Sequence, residues 1–158
     1  MTATDELLQR NTSRTRPDLP SAPGLRVAIV TCMDCRIDLA ESLGLAAGEA
    51  HVIRNAGGAV TDDVIRSLAV SQRKLGTREI VLVHHTGCGM RTFTEGDFKD
   101  ELETETGVRP AWSVETFRDT EQDVRQSLER VRRSPFLTET TSVRGFVEDI
   151  ATGALTEV

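Results

Sequence analysis

Short apolar runs alternate along the chain with segments in which apolar residues recur at helical spacing. The run LRVAIVTC at 25–32 has no polar alternation, which is typical of a parallel strand covered on both faces. The runs HVIRN at 51–55 and EIVLVHH at 79–85 predict two further strands. Strands that alternate with helices predict an α/β fold with a mainly parallel central sheet flanked by helices.

Capping residues and periodicity predict where the helices begin and end. Thr61 is placed to cap a helix that has acidic residues in its first turn and ends at Gly76. A Thr-Gly turn between two apolar stretches of the tail predicts a C-terminal β-hairpin at the edge of the sheet. The other predicted helices are 38–45, 95–105 and 119–133.

The beginning of the chain differs from the remainder. A short amphipathic stretch at 4–10 is followed by a proline-rich segment at 17–23, and proline prevents a helix from continuing. We therefore predict an N-terminal arm over residues 1–24 and a single α/β domain over residues 25–158.

The charge of the chain argues against several kinds of partner. Its 25 acidic and 19 basic residues give a formal net charge of −6, which does not attract nucleic acid or an anionic lipid surface. No apolar run approaches the ~18 residues that a membrane span needs. The N-terminal stretch MTATDELLQRN is polar and acidic rather than signal-like. We therefore expect a cytoplasmic protein with no nucleic-acid and no membrane partner.

Residues suited to metal binding follow two of the predicted strands. Cys32 ends the first strand, and His85 and Cys88 come at the end of the third. Ligands bind at the carboxyl ends of parallel strands, so these side chains face one another if the two strands are neighbours. Two thiolates and one imidazole suit zinc, which keeps a fourth position for a water that ionises near neutral pH. We therefore predict one zinc ion per chain, although buried cysteines also occur as simple core residues.

Cys35 leaves two alternatives open. With Cys32 it forms a C-x-x-C pair, which suits thiol redox chemistry or a closed, structural Cys₃His zinc site. Asp34 and Arg36 occupy the same turn, where an ion pair is useful to an open site. Such a pair can accept a hydrogen bond from the water on zinc and hold that water in line for attack. The simplest alternative for this pair is an ordinary surface ion pair of little energetic value.

These motifs resemble those of the β-class carbonic anhydrases, which are C-x-D-x-R and H-x-x-C. The stretch HVIRNAGG between the two motifs also resembles that family. Cys35 departs from the pattern, because the family usually has a small residue at that position. The residues that carry the resemblance are Cys32, Asp34, Arg36, His85 and Cys88.

The resemblance implies a zinc enzyme that reversibly converts carbon dioxide and water to bicarbonate and a proton. It implies that Cys32, His85 and Cys88 bind the zinc. It also implies that Asp34 and Arg36 orient the zinc-bound hydroxide, with Asp34 as an occasional fourth ligand in a closed state. Family members are homodimers or larger assemblies, so we expect a homodimer or homotetramer with the arm across a partner subunit.

Two alternatives to carbon dioxide hydration stay open. Related sequences hydrolyse carbon disulfide or carbonyl sulfide at the same metal site, and a non-enzymatic Cys₃His zinc domain is the other alternative. Among the remaining histidines, His84 is expected to pack on the opposite face of its strand. His51 is a weak candidate for carrying the proton. Close backbone approach around the metal is expected at Gly57, Gly58, Gly87 and Gly89.

Overall fold

A five-stranded sheet lies at the centre of the protein, whose computed structural model describes residues 1–12 and 17–158. The strands are β1 Val27–Cys32, β2 Ala50–Asn55, β3 Glu79–His85, β4 Val143–Glu148 and β5 Leu155–Glu157. Their order across the sheet is β2-β1-β3-β4-β5. The first four are parallel, and β5 pairs antiparallel with β4. The predicted α/β fold with a terminal hairpin at one edge is therefore confirmed.

The helices lie between these strands and in the N-terminal arm. They are α1 Ala3–Arg10, α2 Leu39–Leu43, α3 Asp62–Leu75, α4 Glu95–Thr106 and α5 Thr120–Arg132. Helix α3 has the predicted ends, because the Thr61 hydroxyl accepts a hydrogen bond from the Val64 N–H and Gly76 follows at φ 75°. No helix among the described residues is long and apolar enough to cross a membrane.

Helix α2 is shorter than the predicted range of 38–45. Asp38 is its N-cap and accepts from the backbone N–H groups of Ala40 and Glu41. Gly44, at φ 64°, ends the helix in a left-handed conformation. Both flanking residues therefore cap this helix and lie outside it.

Apolar side chains pack in two layers, one on each face of the sheet, because neighbouring residues of a strand point to opposite faces. The layer beneath α3 and α5 includes Val30, Leu68, Leu82, Val124 and Leu128. The layer on the other face includes Ile29, Val83, Met90 and Phe117, together with Cys32 and Cys88. Two of the predicted metal ligands therefore lie in surroundings from which apolar side chains exclude water.

The predicted N-terminal arm is described except at 13–16, which lie outside the described residues. Within the described part, α1 buries none of its side chains, and Leu7 and Leu8 are each 64% exposed. The end of the arm is attached to the segment before β2, where the Gly24 N–H donates to the Gly48 carbonyl at 2.9 Å. The arm thus joins the sheet at the β2 edge.

Helix α5 packs so closely on β4 that Gly145 leaves no space for a side chain. A Cβ at Gly145 would overlap a methyl group of Val124 and would lie 3.0 Å from Leu128 Cδ1. We therefore expect Gly145→Ala to lower the free energy of unfolding by about 1–3 kcal/mol, as measured by urea denaturation.

Gly96→Ala in α4 is a matched control for this substitution. Only Thr94 Oγ1, at 3.9 Å, comes near a Cβ at Gly96, and alanine favours a helix more than glycine does. The free energy of unfolding of this control should be unchanged or higher. If Gly145→Ala were as stable as the wild type, the packing of α5 on β4 would be looser than these distances indicate.

Candidate metal centre

The parallel pairing of β1 with β3 brings the two predicted motifs to one edge of the sheet. Thr31 pairs with Val83, so the two strands end at the same height. Cys32 is the last residue of β1 and His85 is the last residue of β3. Cys88 follows His85 after a tight turn. The ends of β1 and β3 therefore bring both motifs to the same edge of the sheet.

The ligand atoms of Cys32, His85 and Cys88, here called the ligand trio, all lie within 4.8 Å of one another. These residues are 4%, 0% and 3% exposed, respectively. A tetrahedral zinc ion forms bonds of about 2.0 Å to nitrogen and about 2.3 Å to sulfur, and it fits among donors this close. The structure therefore brings the three predicted ligands together.

The imidazole of His85 is oriented to bind a metal through Nε2. Its Nδ1 donates to the Thr86 carbonyl oxygen at 2.9 Å, which leaves a lone pair on Nε2. Nε2 is buried and has no hydrogen-bond partner among the described residues. Buried polar atoms need a partner, and metal-binding histidines usually donate their other nitrogen in this way. This unpartnered atom fits a metal ion in the pocket.

Hydrogen bonds favour ionisation of the Cys32 sulfur, whereas the hydrogen bond to Cys32 raises the pKa of Cys88. A hydrogen bond from the Cys88 thiol lowers the pKa of Cys32, although burial opposes this ionisation. The backbone N–H groups of Asp34 and Gly57 also donate to the Cys32 sulfur. Thiolate is the form of cysteine that binds metals, so these donors prepare Cys32 for that role.

Negative charge surrounds the imidazole of His85. Burial by itself would lower the pKa of His85, but the Cys32 thiolate and the Asp34 carboxylate raise it overall. Asp34 Oδ2 lies 3.8 Å from His85 Nε2. Opposite charges nearby stabilise a cation, so the pocket favours positive charge at the position that Nε2 faces.

Asp34 and Arg36 form a two-pronged ion pair beside the ligand trio. Arg36 Nε donates to Asp34 Oδ1 at 2.9 Å, and Arg36 Nη2 donates to Asp34 Oδ2 at 2.6 Å. The Arg36 backbone N–H also donates to Oδ1, and Nη2 reaches the Gly87 carbonyl at 3.2 Å. The side-chain hydrogen bonds from Arg36 hold the pKa of Asp34 well below its usual range. Asp34 is therefore an ionised carboxylate held by Arg36.

Cys35 lies outside the ligand trio. Its side chain is exposed, whereas Cys32 and Cys88 are buried. The three cysteines are all free, and Cys35 does not belong to the buried group that could hold a metal. This arrangement favours an open, three-ligand site over a Cys₃His site or a Cys32–Cys35 redox pair.

The two other histidines lie apart from the trio. His84 Nε2 contacts Asp123 Oδ2 at 2.7 Å on the opposite face of the sheet, as strand alternation predicts. His51 is near the start of β2, whereas the ligand trio lies at the strand ends. Its ring nitrogens contact Ser71 Oγ at 2.7 Å and the Ser21 carbonyl at 3.0 Å. The structure therefore does not bring His51 to the metal centre.

Two of the four predicted glycines allow close backbone approach. Gly58 has φ 68°, and a Cβ there would lie 3.0 Å from the carbonyl carbon of Thr31. Gly57, at φ 80°, has the same left-handed backbone. Gly87 has the same left-handed backbone at φ 64°, although nothing in the described part of the chain lies within 4 Å of a Cβ at Gly87 or Gly89, so their close approach to a metal stays a prediction.

A cleft of about 690 Å³ opens beside the ligand trio. It reaches the two ligand cysteines and Asp34, so a small molecule in the cleft can approach both the metal position and the carboxylate. An apolar wall suits a small uncharged molecule better than an ion. The larger apolar side chains of this wall are Met33, Met90, Phe93, Phe98 and Trp112.

Arg54 contacts the turn after β1, a role that the sequence motifs did not indicate. Arg54 Nε donates to the Cys32 carbonyl at 2.9 Å, and Arg54 Nη2 donates to the Asp34 carbonyl at 2.7 Å. Arg54, which precedes the last residue of β2, pairs in register with Thr31 of β1, and the sequence alone does not reveal this pairing. The three strand ends therefore meet at one edge of the sheet.

The fold and the site together define a class of protein. A mainly parallel α/β sheet holds two cysteines and one histidine as a metal-binding group, beside an Asp–Arg pair and an apolar cleft. Three protein ligands, rather than four, are typical of a catalytic zinc centre. The arrangement is typical of the zinc enzymes.

Comparisons with known proteins identify the family within this class. The family model described as carbonic anhydrase matches residues 27–155, and the chain belongs to the carbonic anhydrase family, in its β class. Beta-carbonic anhydrase 1 of Mycobacterium tuberculosis is 58% identical, and the alignment covers 100% of this chain and 99% of that protein.

Two further relatives show how far the similarity extends. The crystal structure of carbonic anhydrase from Streptococcus mutans has a TM-score of 0.89 at 42% identity, covering 100% of this chain and 98% of that one. A carbon disulfide hydrolase of Acidithiobacillus thiooxidans is 31% identical over 82% of this chain and 75% of its own length. Proteins similar to this chain therefore carry the names of two different activities.

Removing a ligand should remove the metal. We expect Cys88→Ala to weaken zinc binding by at least about 100-fold, because it deletes one of three protein ligands. Zinc content of the purified protein, measured by mass spectrometry, checks this expectation.

Cys35→Ala is the matched control, since it removes an exposed thiol from the neighbouring turn. This variant should bind as much zinc as the wild type. Loss of zinc from Cys35→Ala, with zinc retained by Cys88→Ala, would show that the ligand set has been assigned wrongly.

Proposed function

We propose that this chain catalyses the reversible hydration of carbon dioxide to bicarbonate and a proton, with Cys32, His85 and Cys88 as the ligands of one zinc ion. The observation that carries the proposal is the ligand trio with its unpartnered His85 Nε2, 3.8 Å from the Asp34 carboxylate. When bound by this trio, zinc supplies Lewis acidity and an activated water at neutral pH.

Asp34 is proposed to orient the attacking water. The carboxylate is ionised, its two oxygens are held by Arg36, and Oδ2 faces the metal position. An ionised carboxylate accepts hydrogen bonds and does not donate them. A water that donates a hydrogen bond to Asp34 would therefore present a lone pair to a carbon atom in the cleft.

Arg36 is proposed to keep Asp34 available as an acceptor. Oδ2 is close enough to the metal position that a rotation of the carboxylate away from Arg36 would let it become a fourth ligand. The two hydrogen bonds from Arg36, and the contact of Arg36 with the Gly87 carbonyl, oppose that rotation. The closed state would then arise only when Arg36 releases Asp34.

The cleft supports a small, uncharged substrate. Its apolar wall gives carbon dioxide a favourable place beside the metal position, and the described lining of the cleft has no cationic side chain that would attract an anion. Bicarbonate is an anion and gains less from the same wall. This difference favours binding of carbon dioxide and release of bicarbonate.

Assembly into a homodimer or homotetramer is part of the proposal. Met33 and Trp112 line the cleft and are 64% and 56% exposed. Leu7 and Leu8 of the arm are equally open to contact. Exposed apolar side chains of this size suit a protein interface. We infer that the arm, residues 1–24, packs on the 25–158 domain of a partner subunit.

We also propose a cytoplasmic location, because free thiols suit a reducing compartment.

Stopped-flow measurement of carbon dioxide hydration tests the proposal on protein of known zinc content. We expect zinc-loaded wild type to be active. The kcat/KM of Asp34→Asn should be lower by about 100-fold or more, because an uncharged amide has only one acceptor oxygen where the carboxylate has two. The zinc content of the variant should stay at the wild-type level.

Asp63→Asn is the matched control, because Asp63 also pairs with an arginine, Arg66, but is exposed on α3. Its kcat/KM should equal that of the wild type. Zinc-loaded wild type that does not hydrate carbon dioxide would contradict the proposal. Release of hydrogen sulfide from carbon disulfide by the same sample would then favour the hydrolase alternative.

A further inference from the structure

The turn after β1, residues 33–37, connects the metal ligands to the Asp34–Arg36 pair. It follows Cys32 directly, so its shape decides where the Asp34 carboxylate lies relative to the ligand trio. One backbone hydrogen bond lies within the turn, from the Ile37 N–H to the Asp34 carbonyl at 3.1 Å. Three further hydrogen bonds within the turn run from Arg36 to the Asp34 carboxylate, so the path of the turn backbone depends largely on contacts with neighbouring elements.

Arg54 of β2 makes the most extensive of these contacts. Its guanidinium donates to the carbonyl of Cys32 at 2.9 Å, of Asp34 at 2.7 Å and of Ile37 at 3.3 Å. These carbonyls come from the residue before the turn, from inside it and from its last residue. One side chain therefore contacts the turn along its whole length.

The chemistry of arginine suits this arrangement. The guanidinium is planar, carries five N–H donors in a fixed geometry and stays charged at any pH that a protein tolerates. Three donors of one rigid plane fix three carbonyls relative to one another, which separate side chains would not do. A hydrogen bond from a charged donor is also stronger than a neutral one.

We propose that Arg54 is a positioning residue for the carbonic anhydrase reaction. By holding the carbonyls of Cys32, Asp34 and Ile37, it fixes the turn so that the Asp34 carboxylate stays bound to Arg36 and off the metal. This inference rests on the proposed function. Arg54 acts through the turn and does not itself touch the substrate.

The short distance at the centre makes such positioning important. Asp34 Oδ2 lies 3.8 Å from His85 Nε2, so a small displacement of the turn changes whether the carboxylate meets the water or the metal. A misplacement of about 1 Å lowers the rate of a positioned reaction by about 100-fold. Loss of Arg54 should therefore lower the reaction rate more than it disturbs the fold.

Arg54→Met tests this role, because methionine keeps an apolar stem and removes all the donors. Arg73→Met is the matched control, since Arg73 also donates to a backbone carbonyl, that of Phe136 at 2.9 Å, but lies on α3. For Arg54→Met we expect full zinc content and a kcat/KM lower by about 10- to 100-fold. The control should keep wild-type values of both.

Cobalt substitution adds a measurement that does not depend on activity. The visible absorption of bound Co²⁺ reports the geometry of its ligands, so a carboxylate that moves toward the metal changes it. We expect an altered cobalt spectrum for Arg54→Met and a wild-type spectrum for Arg73→Met. Added methylguanidinium, which can occupy the vacated place on the turn, should restore part of the lost kcat/KM to Arg54→Met only.

A wild-type kcat/KM together with a wild-type cobalt spectrum in Arg54→Met would overturn the inference. If that variant does not fold, Arg54→Lys decides, because an ammonium group cannot hold three carbonyls in one plane. An intermediate kcat/KM at full zinc content is expected there, and a wild-type kcat/KM would again overturn the inference. An inactive zinc-loaded wild type would instead count against the proposed function itself.

Discussion

The parallel pairing of β1 with β3 is the constraint on which the metal centre depends, because neither motif contains a complete ligand set. The end of β1 supplies Cys32, whereas the end of β3 and the turn after it supply His85 and Cys88. The register of Thr31 with Val83 brings them within bonding reach of one ion. Gly58 allows the chain to pass close to Thr31 at this strand end, where any side chain would collide with backbone.

Charge is arranged around this centre so that each group has one role. Two thiolates would balance a divalent ion bound by the trio, and the Asp34 carboxylate adds a negative charge that Arg36 offsets. Arg54 contacts this charged group from outside, since it donates a hydrogen bond to the backbone carbonyl of Asp34. The largely apolar cleft completes the site, because it lets an uncharged molecule approach the ligand cysteines and Asp34.

Much of this could be predicted from the sequence, for reasons that differ between elements. Strand β3 has the predicted bounds, 79–85, because a buried parallel strand is a continuous apolar run between polar residues. The ligand trio was predictable because its residue types have few other uses at strand ends. The role of Arg54 was not predictable from the sequence, because it depends on the register of β2 with β1 and on the path of the turn. The exposure of Cys35 depends on the same path.

The central claim is that two thiolates and one imidazole hold the zinc while Cys35 stays off it. X-ray absorption at the zinc edge of the purified, zinc-loaded protein tests this most directly, since zinc–sulfur bonds of about 2.3 Å are resolved from bonds of about 2.0 Å to nitrogen and oxygen. We expect two sulfur neighbours and two lighter ones. Three sulfur neighbours would mean that Cys35 completes a closed site, and would contradict an open centre with three protein ligands.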